Sequence, residues 1–69
     1  MSAKPAEAAA MIEALPALLQ ATRQARGLSL REAAQRIGVG HITLLRTEQG
    51  ELPNARNAAK MLRWIGGTR

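Results

Sequence analysis

Apolar residues recur along this chain at intervals of three and four, the spacing that lines one face of a helix. Leu30, Ala33, Ala34 and Ile37 form one such set, and Ala58, Met61, Leu62 and Ile65 form another. Glycine punctuates the pattern. Gly27, Gly38, Gly50 and Gly66 each follow a helical stretch, at the place where a left-handed terminal residue suits a side chain with no Cβ. Four helices are predicted between these marks. The first runs from about Pro16 to Arg26, with proline tolerated in its first turn. The second opens at Ser29, whose hydroxyl caps it while Glu32 reaches back, a capping box. The third starts after Gly40 and ends at Gln49, and the fourth is capped by Asn54 after Pro53.

Upstream lies an Ala-rich segment, Pro5 to Leu15, with Met11, Ile12 and Leu15 on one side. It predicts an extra helix or arm, separate or kinked into the next helix at Pro16, with a frayed tail as the alternative. The domain plan is therefore residues 1–15 as this extra element and residues 16–69 as the main domain. The second and third helices are separated by Gly38-Val39-Gly40, and a helix, a short glycine turn and a second helix make a helix-turn-helix. Ala34 is small enough for the second helix of the pair to cross it. Val39 plugs the angle between them, and Leu44 closes the small core from the other side.

Composition narrows the class. The chain has 69 residues, 46% of them hydrophobic, yet its one aromatic residue is Trp64. A core of Ala, Leu, Ile and Met favours helices over a sheet, so the expected fold is all-α, a compact bundle of four to five short helices. The absence of cysteine excludes disulfides, Cys-ligated zinc and thiol chemistry. One histidine, His41, and no aspartate leave too few groups for a metal site or a Ser–His–Asp triad, so neither a cofactor nor an enzyme is expected. No apolar run approaches the ~18–20 residues of a membrane span and no signal peptide is evident, which places the protein in the cytoplasm as an expectation.

Charge adds a direction. Residues 1–20 set Lys4 against Glu7 and Glu13, a balance of −1, whereas residues 21–69 set nine Lys/Arg against Glu32, Glu48 and Glu51, a balance of +6. The bases are spread through the helical part. A folded basic surface points to a polyanion, most often nucleic acid, with a merely solvated surface as the alternative.

Arg23, Gly27-Leu28-Ser29, Ala34, Ile37-Gly38-Val39, Leu44, Glu48, Gly50-Glu51 and Pro53 carry a resemblance. With them the stretch Leu19 to Ile65 resembles the Xre/Cro helix-turn-helix family of phage and bacterial repressors, whose fold is lambda-repressor-like. Two departures stand out. Leu30 occupies a position where the family usually has glutamine, and the family usually continues into a fifth helix. The N-terminal extra helix is expected to supply the missing packing.

The resemblance implies that the third helix enters the DNA major groove. At about 100° per residue, His41, Ile42, Leu45, Arg46 and Gln49 share one broad face, and Thr43, Leu44, Thr47 and Glu48 the other. The first set is the base-reading candidate. Arg46 suits the O6 and N7 acceptors of guanine, Ile42 and Leu45 suit thymine methyl groups, and Gln49 suits phosphate or an adenine edge. His41 can donate to a guanine acceptor or a phosphate. The alternative for Ile42 and Leu45 is ordinary core; for His41 it is a solvated surface. Ser29 with Arg31, Gly40 with Thr43, and Asn54 with Arg56 and Asn57 are the phosphate-positioning candidates at helix starts. Arg36 and Lys60 could equally be plain solvated charges. By the same resemblance Arg23 and Glu48 form an ion pair that orients the reading helix.

One short helix touches few base pairs, so a homodimer on a palindromic operator is expected, with half-sites about 34 Å apart. Met61, Trp64 and Ile65 are candidates for the dimer surface or for the core. The expected function is sequence-specific binding of double-stranded DNA by a repressor or Cro-like transcriptional regulator. Two rivals remain: an antitoxin that binds operator DNA and holds a toxin protein through residues 1–15, and a protein-interaction domain that kept the fold without reading DNA.

Overall fold

The structure, a computed structural model, describes residues 5–67, with side chains from residue 13 onward. Four helices follow in order: α1 (Pro5–Ala25), α2 (Leu30–Ile37), α3 (His41–Glu48) and α4 (Ala55–Gly66), with no strand among the described residues. The sequence predicts an extra helix, separate or kinked into the next at Pro16; the structure has one continuous helix, α1, with Pro16 inside it, so the separate form is not what the chain adopts. The reason lies in packing. An interior proline costs about 3 kcal/mol through its missing donor and its clash with the preceding turn. Leu15 and Leu19, one turn apart across Pro16, are 2% and 0% exposed. Each such burial contributes about 1.5–3 kcal/mol, enough to offset the proline. The Met11 and Ile12 side chains lie outside the described residues.

The helix ends are made by short-range chemistry. Gly27 leaves α1 at φ 67, and Leu28 N donates to Arg23 O at 3.0 Å. Ser29 caps α2: Glu32 N donates to its hydroxyl at 3.1 Å and its own N–H donates to the Glu32 carboxylate at 2.9 Å. Gly38 ends α2 in the left-handed region, and Asn54 caps α4 by accepting from Asn57 N at 2.8 Å. Gly66 departs from the expectation. It is the last residue of α4 itself, and the cap is Gly67 in extended backbone, φ −75.

The core is Leu15, Leu19, Leu28, Ala33, Ala34, Ile37, Leu44 and Met61, with Leu30, Val39, Trp64 and Ile65 partly buried against it. Ala34 is buried in α2, 2% exposed. Leu62, read from sequence as inward, stands 37% exposed. It follows Met61 by 100° around the helix, and Met61, fully enclosed, takes the inward position. Helix α3 packs on α1 and α2, and α4 packs on the same two. No helix among the described residues is long and apolar enough to cross a membrane.

Candidate nucleic-acid interface

The geometry of α3 follows from which of its residues the fold consumes. Leu44 and Thr47 are each 1% exposed, and the Thr47 hydroxyl donates to the Thr43 carbonyl at 2.9 Å, so it is buried without an orphaned group. Glu48 is held by Arg23 of α1. Arg23 Nε donates to Glu48 Oε2 at 2.8 Å and Nη2 to Oε1 at 3.0 Å, a fork-to-fork pair, while Nη1 reaches the Leu28 carbonyl at 3.3 Å. The two side chains are 18% and 7% exposed. Chiefly through these hydrogen bonds, the Glu48 carboxylate raises the Arg23 guanidinium above its already high value. A planar pair with two bonds fixes direction as well as distance, and its far end is the reading candidate itself.

What the fold leaves outward on α3 is a mixed face. Ile42 is 47% exposed and Leu45 38%, so neither is enclosed in the core. Arg46 and Gln49 are exposed and His41 is half-buried at the first turn. Arg46 Nε lies 4.0 Å from Glu51 Oε2, with both side chains 64% exposed, a loose contact that leaves the guanidinium projecting. Thr43 is half-buried and lines an open cleft with Arg46, Glu51, Asn54 and Asn57.

The helix starts differ in charge. Helix α2 carries Glu32 in its first turn, whereas α3 and α4 carry no acidic residue there. Gly40 caps α3 in extended backbone with no side-chain cap. Ser29, Arg31 and Gly40 are exposed, and Arg31 lines a second open cleft with Gln35, Gly40 and His41 between α2 and α3. At the start of α4, Asn54 and Arg56 are exposed and Asn57 is half-buried.

Two bases have partners the sequence did not disclose. Arg26 donates to the carbonyls of Trp64 at 3.1 Å and Gly67 at 2.8 Å, and its guanidinium lies 4.7 Å from the Trp64 ring centroid. Lys60 Nζ donates to the Gly38 carbonyl at 3.0 Å. Helix C-termini carry unpaired carbonyls and partial negative charge, which is the signal that could have found both contacts. Of the dimer-or-core candidates, Met61 is fully enclosed by its own chain, while Trp64 and Ile65 keep part of their surface.

A family model described as a helix-turn-helix domain matches residues 14–67. No curated protein and no solved structure matches the chain.

Proposed function

The chain belongs to the helix-turn-helix domain family, and on that premise we propose that it is a sequence-specific regulator of transcription, of the phage or bacterial repressor or Cro-like kind, working in the cytoplasm on duplex DNA. One observation carries the reading: α3 is anchored through Leu44, Thr47 and the Arg23–Glu48 pair, and presents Ile42, Leu45, Arg46 and Gln49 on the opposite, exposed face. That face combines a two-pronged donor, an amide and two apolar side chains, the set that reads base edges and thymine methyls in a major groove. His41 joins it at the N-terminal end. Ser29, Arg31, Gly40, Thr43, Asn54, Arg56 and Asn57 are the positioning group, placed at helix starts where backbone N–H groups favour phosphate. A homodimer at least on DNA, reading a palindromic operator, completes the proposal.

Selection of bound sequences from a random duplex pool tests it, because one result reports binding, half-site symmetry and spacing. Arg46→Ala should relax preference at one position and cost about 1–3 kcal/mol, whereas Arg56→Ala should weaken binding to all sequences alike. A chain that neither retards duplex DNA at low salt nor enriches any sequence is a protein-interaction domain. The toxin-binding element of the antitoxin alternative falls on residues 1–15, whose side chains through residue 12 lie outside the described residues.

A further inference from the structure

We infer that Lys60 is a positioning residue of the DNA-reading unit, a base that serves the α2–α3 turn and makes no phosphate contact. The inference rests on the regulator reading above and assigns a role to a residue on α4, away from both helices of the motif. Lys60 Nζ donates to the Gly38 carbonyl at 3.0 Å across 22 residues of chain. Its aliphatic stem lies along the same turn, since a Cβ built on Gly38 would meet Lys60 Cδ at 3.9 Å. The residue is half-buried.

The turn explains why this contact has leverage. Only Gly38, Val39 and Gly40 join α2 to α3. The N–H groups of Gly38 and Val39 are both spent on the Ala34 carbonyl, at 2.9 and 3.1 Å. Gly38 sits at φ 91, where glycine is at ease, and the peptide plane that carries its carbonyl is held at its other edge by the Val39 N–H. The Lys60 ammonium holds that plane by its oxygen. A cation is also favoured there by the negative end of α2. Helix α4 packs on α1 and α2; through Lys60 it fixes in addition the joint from which α3 departs, and so the angle of the reading face.

A phosphate contact and a tether differ in what they do to salt dependence. Losing a phosphate contact lowers the slope of log K against log salt by about 0.9 and weakens all sequences alike. Losing a tether leaves the slope and blurs discrimination. The full chain is titrated, well below the melting temperature of every variant, with a duplex that the wild type has selected from a random pool and with a scrambled duplex of the same length. Lys60→Gln should bind the selected duplex about fivefold more weakly and the scrambled one within about twofold, with an unchanged slope. Lys60→Arg should recover most of the loss, and Arg56→Ala provides the comparison for a phosphate contact. Should Lys60→Gln fail to fold, Lys60→Met, which keeps the stem against Gly38, takes the same measurements. A slope reduced by about 0.9 makes Lys60 a phosphate contact and overturns the proposal. Equal losses on both duplexes, or none, also overturn it while leaving the regulator reading intact. A wild type that selects no sequence overturns both.

Discussion

The Glu32 carboxylate accepts the Ser29 N–H, and this bond, with the Ser29 hydroxyl beside the carboxylate as the smaller cause, lowers its pKa below the usual glutamate range. A depressed carboxyl adds stability that is complete above its unfolded value, about 4.3, and lost as the pH falls through its lower folded value. Glu32→Gln keeps an acceptor but cannot titrate. Melting temperature against pH should therefore fall less steeply below about pH 4.5 in Glu32→Gln than in the wild type; parallel curves would count against the capping box as an acid-sensitive element. The Arg23–Glu48 pair obeys a different rule. Removing one partner strands a charge that is mostly enclosed, so Glu48→Ala should cost about 2 kcal/mol, between the exposed and fully buried cases. Replacing both partners, Arg23→Met with Glu48→Leu, should regain most of that stability. Discrimination among DNA sequences should not return with it, because methyl groups pack without fixing direction. Recovery of both would show that the pair only stabilises.

At the scale of elements, helix ends were legible because caps are local. Ser29 with Glu32, and Asn54 with Asn57, act over three residues, and Gly38 needs only its own φ of 91. The facing of α3 was legible too, since 100° per residue sorts Leu44 and Thr47 from Ile42 and Leu45, as their burial shows. Pro16 was legible only as a choice between a separate and a kinked helix: the burial of Leu15 and Leu19, which favours a continuous one, is a tertiary fact that no window of sequence contains. Lys60 and Arg26 were opaque for the same reason, with partners 22 and 38 to 41 residues away. Relieving the conflict at Pro16 gives a prediction. Pro16→Ala should stabilise the chain by about 1–2 kcal/mol in denaturant melts, and a loss of stability would mean that the half-buried ring packs better than it fits the helix. Gly38→Ala and Gly27→Ala form a matched pair, both at positive φ with no atom closer than 3.9 Å to the added methyl. Each should cost about 1–2 kcal/mol from the backbone alone. Only Gly38→Ala, at the joint of the motif, should also reduce preference for the selected sequence.

For the whole molecule, the count of ten Lys and Arg overstates what a duplex can meet. Of nine bases in residues 21–69, Arg23, Arg26 and Lys60 are committed to internal acceptors, and Arg69 lies outside the described residues. Nine less these four leaves five, Arg31, Arg36, Arg46, Arg56 and Arg63, all exposed. Each phosphate neutralised contributes about 0.9 to the salt slope, so these five bases supply at most about −4.5 per chain, and Lys4 and Arg69, outside the described residues, at most about −1.8 more. The molecule measures 33 × 25 × 18 Å, so two copies set side by side fit half-sites about 34 Å apart without overlap. A duplex carrying one half-site and one carrying two therefore separate the terms: the slope should double from the first to the second. A single-site slope near −9, about the value for all ten bases, would require the internal tethers to open on binding. Arg26 would then have to leave the Trp64 ring, and the fluorescence of that lone tryptophan would report it. Unchanged fluorescence together with the shallow slope would identify the three tethered bases as parts of the scaffold.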